Sequence, residues 1–179
     1  MTLAQLSIVL GLGFALPQVY GLVKPAGFRD AVRKFPRSEP CGWVLMLLAT
    51  LWMLHYLRLE SNSDIAKLKP LLTALFIALG VGACVFVRDF LAVRGLAVLL
   101  MLAAKLVLDT ARWHESAWRL VLVTWAYLWI LAGIWWTVSP WRLRDRLERE
   151  TSTDAIVRAG SGVRCALGLF VAVLGWTVF

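Results

Sequence analysis

Apolar residues run along this chain in long blocks separated by short charged stretches, with no sustained alternation of the kind that marks strands. A run of about 20 apolar residues crosses the hydrocarbon core of a bilayer as a helix. Six such runs are legible. They are Leu3–Val23, interrupted by Gln5, Ser7, Pro17 and Gln18; Gly42–Leu57; Leu71–Val87; Phe90–Ala111, which carries Lys105 and Asp109; Leu120–Val138; and Cys165–Phe179, which takes in Ile156–Val163 to reach full length. The pattern predicts an all-α, polytopic transmembrane helical bundle of about six spans, with the whole chain, 1–179, as one membrane domain.

Two of the charged linkers have a pattern of their own. Phe28, Val32 and Phe35 fall at i, i+4 and i+7, while Arg29, Asp30, Arg33 and Lys34 lie elsewhere around the helix. That spacing predicts a short amphipathic helix over 26–35 at the membrane interface, with Pro25 tolerated at its start and Pro36 ending it. The linker after the fifth span repeats the design. Val23, Pro25, Arg29 and Asp30 align in constant register with Val138, Pro140, Arg144 and Asp145, and Phe28 and Val32 align with Leu143 and Leu147. A second surface helix is expected over 140–150, with Arg149 in its last turn. Each copy lies between two spans. The expected organisation is therefore a repeated hairpin, 1–58 and 117–179, flanking a middle span pair at 69–112.

Composition sharpens this picture. Hydrophobic residues make up 60% of the chain and charged residues 17%, with a mean hydropathy of +0.74. Soluble domains carry about a quarter charged residues, and a soluble fold of this length has no interior large enough for such an apolar surplus. The net charge of +8 comes from 19 Lys and Arg against 11 Asp and Glu. These basic residues cluster between spans and form no basic face on a soluble module, which argues against a nucleic-acid partner. Their distribution predicts orientation instead. Lys24, Arg29, Arg33, Lys34, Arg37, Arg88, Arg94, Arg142, Arg144, Arg146, Arg149, Arg158 and Arg164 fall on one side; Arg58, Lys67, Lys69, Arg112 and Arg119 fall on the other. The first set should face the cytoplasm, leaving both termini on the far side. The first apolar run lacks a positive leader and a cleavage site, so it reads as a retained span.

The fourth span holds the strongest candidate chemistry. At about 100° per residue, Lys105 lies about 20° from Arg94 around the helix, Asp109 about 60° away, and Arg112 returns to the starting direction. Val98 and Met101 share the stripe. Lys105 and Asp109 are spaced to pair at i, i+4. An intramembrane charge costs at least about 2.5 kcal/mol on insertion scales, so such residues face protein, water or a partner. The stripe fits three roles: structural, a path for a proton, ion or solute, or a docking face. His55 and His114 both map to the far side of the membrane, where two histidines on separate helices offer axial ligands for haem. Otherwise no cofactor is expected, and Cys41, Cys84 and Cys165 form neither a disulfide pattern nor a metal site. Of the ten tryptophans, Trp43, Trp113, Trp118, Trp136 and Trp141 stand near span ends as an interfacial belt, and Trp125, Trp129 and Trp135 lie deeper. The deeper set suits lipid packing or a pigment, quinone or lipid-tail surface. Ala74, Ala78 and Gly82 make a small-residue face in the third span, suited to close helix contact within the chain or with a neighbour.

The hairpin pattern of span, proline with a basic surface helix, then arginine and glycine leading into a second span, resembles a family of very small bacterial inner-membrane hairpin proteins of unknown function. The C-terminal copy carries it through Pro140, Arg142, Arg144, Arg158, Gly162 and Gly168. The resemblance covers about 50 residues per copy and implies a bacterial membrane protein, without implying an activity. Leu16-Pro17-Gln18-Val19 is similar to the Pro-Gln turn of the PQ-loop and SWEET-type transporters, although the three-helix repeat of those proteins is absent. No nucleophile elbow, HExxH pair or phosphate-binding glycine loop is present. The expected function is a non-enzymatic inner-membrane accessory or scaffold subunit, embedded in the lipid bilayer beside other membrane-protein subunits. The alternatives are a small transporter or channel using the fourth span, or a haem- or quinone-binding subunit.

Overall fold

The computed structural model of the chain describes residues 2–179, including all their side chains except those of residues 63 and 64. It is helical throughout, with no strand among the described residues. In chain order the helices are α1 (Leu3–Val23), α2 (Pro25–Lys34), α3 (Glu39–Leu59), α4 (Ser63–Phe86), α5 (Leu91–Ala111), α6 (Arg119–Val138), α7 (Trp141–Glu150) and α8 (Asp154–Thr177). Six of them, α1, α3, α4, α5, α6 and α8, are long and apolar enough to cross a membrane. The chain is a multi-pass membrane protein.

Local chemistry sets the boundaries. Thr2 caps α1 in a reciprocal box with Gln5, Ser38 caps α3 through the Cys41 amide, and Thr153 caps α8 through that of Ile156. Each cap satisfies an N–H that the first helical turn leaves open. These caps lengthen two spans beyond their apolar runs. The second span begins at Glu39 and the last at Asp154, because a capped first turn extends into the charged interface. The third span starts at Ser63, ahead of its apolar run, and holds Pro70 inside the helix. Pro17 likewise lies within an unbroken α1. Both surface helices are present, α2 one residue ahead of its expected range and α7 starting just after Pro140. Pro36 sits in a single 3-10 turn, Phe35–Arg37, that follows α2.

Tertiary packing sorts the spans into two groups. α1 packs antiparallel along α8. In the other group α5 lies between α3 and α6, and α4 attaches to α3. Thus the two spans of each terminal hairpin are not each other's main neighbours. Between spans in lipid there is no water to expel, so close approach depends on small residues. Gly11 and Gly168 bring α1 and α8 together, Gly42 and Gly95 fit α5 against α3, and Gly133 of α6 faces Ala97 and Met101 of α5.

The two groups meet in a seam that differs along its length. At the end bearing the N-terminus of α1, an apolar cluster of Leu3, Leu6, Ala104, Val107, Ala111, Leu122, Ala126 and Val171 fills it. Toward the basic end the helices part, and α2 and α7 close over the gap. Their apolar faces (Phe28 and Val32, continued by Phe35 just past α2; Leu143 and Leu147) turn onto the bundle. The amphipathic pattern read from the linkers thus covers protein.

Candidate functional site

The charged stripe of the fourth span occupies α5, but its members have separate surroundings. Lys105 pairs with Asp109 at 2.5 Å, and its Nζ stands 5.0 Å from the centre of the Tyr56 ring on α3. About half of each side chain of the pair is exposed. From Lys105 to the helix end at Ala111 is about 9 Å of rise, so the pair lies toward the end of the span away from α2 and α7. Tyr56 stacks against Trp52, and its Oη is buried without a hydrogen bond. Arg94 lies one turn into α5 at the opposite end, half-buried, with its Nε similarly unpartnered. Between Arg94 and Lys105, about 16 Å of helix, the neighbouring cavity of about 370 Å³ is lined by groups such as Met46, Met53, Phe76, Leu79, Val98 and Met101. Arg112 caps the end of α5, where its guanidinium lies over the Trp113 ring and its carbonyl accepts from Arg119 Nη1 at 2.8 Å. One ion pair, the Arg94 guanidinium and the Arg112 guanidinium stacked on Trp113 thus have separate surroundings along α5.

The histidines have different environments. His114 faces the Phe179 ring edge-to-face at 5.0 Å, and its Nδ1 accepts from the Ser116 amide. His55 is exposed on α3. Among the described residues no three His, Cys, Asp or Glu side chains gather as a metal site, and the three cysteines are free. Ala74 and Ala78 are exposed, and a methyl group on Gly82 would meet nothing within 4 Å. The small-residue face of α4 therefore makes no contact within the chain at Gly82.

The surface helices are held by specific bonds. Arg33 of α2 donates through Nε to Thr151 Oγ1 at 2.9 Å and through Nη2 to the Thr151 carbonyl at 2.8 Å, and Arg29 pairs with Asp154 at 3.0 Å. Asp30 and Lys34 point outward. On α7, Arg144 pairs with Asp145 at 2.7 Å and lies over the Phe90 ring, and Arg149 Nε donates to the Asp145 carbonyl. The hydrogen bond and charge of Asp145 raise the Arg144 pKa above its ordinary value.

The seam adds a site that the sequence reading did not assemble. Its cavity measures about 510 Å³. Phe14 and Gln18 of α1, Leu96 and Leu100 of α5, and Trp125, Trp129 and Trp136 of α6 form its wall. Phe14 and Trp125 meet edge-to-face at 5.1 Å across the seam. At the basic end stand Arg146 and Glu150 of α7, Thr151, and Arg164 of α8. Glu150 bridges both arginines, accepting from Arg146 Nε at 2.8 Å and from Arg164 Nη2. Gln18 Oε1 is buried without a hydrogen-bond donor. Two signals of this site were present in the sequence: the i, i+4 pair Trp125 and Trp129, and the i, i+4 pair Arg146 and Glu150. Their convergence with residues of α1, α2, α5 and α8 was not. No family model matches the chain, no curated protein matches it, and no solved structure matches it.

Proposed function

We propose that this protein is a non-enzymatic accessory or scaffold subunit of a bacterial inner-membrane assembly, with α2 and α7 on the cytoplasmic side. The observation that carries this reading is the state of α4. That helix packs on α3 alone among its larger contacts, and it turns Ala74, Ala78 and the open Gly82 outward. A small-residue face lets a second backbone approach closely, and such packing is one source of helix association in lipid. The short loops between spans leave no room for a soluble catalytic domain. The resemblance of the terminal hairpins to small bacterial inner-membrane proteins supports the location.

Purification of the full chain in mild detergent, followed by native mass spectrometry, tests the reading. A stoichiometric membrane partner that is lost on Gly82→Leu and Ala78→Leu substitution is expected. A chain that is monomeric and without partners in native membranes argues against it.

A transport role draws on one observation, the half-exposed Lys105–Asp109 pair beside Tyr56. The apolar lining between Lys105 and Arg94 disfavours a polar route. Loss of solute flux in a correctly assembled Lys105→Met protein would move the balance toward transport.

A further inference from the structure

We propose that the seam cavity binds one anionic phospholipid, its phosphate at Arg146 and Arg164 and an acyl chain against Trp125 and Trp129. This inference is independent of the accessory-subunit reading, because it concerns the interior of the chain and not the outer face of α4.

Three features select that chemistry. The first is the order of polar and apolar groups. The cavity runs from Phe14 and Leu100 in the middle of the bundle to charged groups on α7 and to Arg164, which stands about 15 Å along α8 from its start at Asp154. α7 follows the end of α6 at Val138, so the charged end lies at the membrane interface while the aromatic wall lies in the hydrocarbon layer. A phospholipid has its own polar boundary at that level. Leu96, Leu100 and Leu147 stand beside the tryptophans, a lining suited to an acyl chain, and a volume of about 510 Å³ takes one such chain and leaves the second in the bilayer.

The second feature is charge. Arg146 and Arg164 together with Glu150 leave one positive charge, which matches one phosphodiester. Glu150 takes one N–H group from each guanidinium and holds the pair in place. The remaining donors are free for phosphate oxygens, for which the planar fork of arginine is well matched. A quinone, whose carbonyls are neutral, would gain less from two cations.

The third feature is Gln18. Its carboxamide lies on the cavity wall with a buried oxygen that accepts no hydrogen bond, in a protein interior where such atoms are rare. A hydroxyl-bearing headgroup such as glycerol supplies the donor.

The test uses the full chain, delipidated in detergent and titrated with phosphatidylglycerol while bound lipid is read by native mass spectrometry. Phosphatidylcholine with the same chains, a long-chain quinone and inorganic phosphate serve as competing probes. One phosphatidylglycerol per chain is expected, retained about fivefold better than phosphatidylcholine, since one basic residue near anionic lipid is worth about that factor. Arg146→Gln with Arg164→Gln should reduce retention to the phosphatidylcholine level. Ala132 of α6 also lines the cavity, and Ala132→Trp, which fills that space and leaves the charges intact, should remove it. Equal retention of both phospholipids by the unaltered chain overturns the proposal without any variant. So does preferential binding of the quinone, displacement by inorganic phosphate, or retention indifferent to both substitutions.

Discussion

Gly11 of α1 and Gly168 of α8 meet backbone to backbone. A methyl group on Gly11 would stand 2.5 Å from the Gly168 carbonyl oxygen, and one on Gly168 would stand 2.7 Å from that of Gly11. Gly175 continues the contact toward Ala4 and Ser7, so the two terminal spans form one antiparallel unit. That unit is one wall of the seam, and its geometry sets how far α1 stands from α6.

Enlarging either glycine should push α1 and α8 apart. Gly11→Leu or Gly168→Leu is expected to lower stability by about 1–3 kcal/mol or more, the usual range for overpacking. Gly13 is the internal control, because a methyl group there meets nothing within 4 Å. Unfolding by SDS titration from mild detergent measures all three. Equal effects at Gly11 and Gly13 would contradict the close contact.

Arg33 and Arg29 both tie α2 to the C-terminal part of the chain, but their contributions should differ. Arg33 donates to a buried Thr151 at two atoms, whereas Arg29 meets a half-exposed Asp154. Loss of a charged donor to a buried acceptor costs about 1.5–3 kcal/mol, and an exposed ion pair is worth about 0–1 kcal/mol. Arg33→Gln should therefore destabilise clearly more than Arg29→Gln, measured in the same titration. The reverse order would place the tie elsewhere.

The Lys105–Asp109 pair should behave as a unit. Either Lys105→Met or Asp109→Leu alone leaves one charge in the span without its partner, which is more costly than removing both. Yield of the folded chain in membranes, read from a C-terminal fluorescent fusion, should fall for each single variant and recover in the double variant. If the double variant is as poor as the worse single one, the pair has a role beyond mutual neutralisation.

Reporter fusions test the orientation. With Arg33, Arg144 and Arg149 on the cytoplasmic side, fusions at Asn62 and after Phe179 should both report the opposite side. A cytoplasmic signal from either one would reverse the topology or change the number of spans.

The sequence by itself determined the class of molecule, the six spans and the two surface helices, because each rests on local pattern. Runs of apolar residues such as Leu120–Val138 are forced to be helical in lipid, where the backbone has to satisfy its own hydrogen bonds. The Phe28, Val32 and Phe35 spacing needed no more than helical periodicity. The reach of Lys105 to Asp109 was legible for the same reason.

Tertiary structure decided which helices meet: Ser7, Gly11 and Ala15 recur at helical spacing, as do Ser161, Gly168 and Gly175, but that spacing does not say which helix each face meets. It decided that α1 pairs with α8 rather than with α3, and that the face carrying Ala74, Ala78 and Gly82 points outward at Gly82. It also brought Gln18, Trp125, Glu150 and Arg164 to one cavity. Each of these residues reads alone as an ordinary span or linker position. The parting of α1 and α8 from α5 and α6 toward the basic end makes them neighbours.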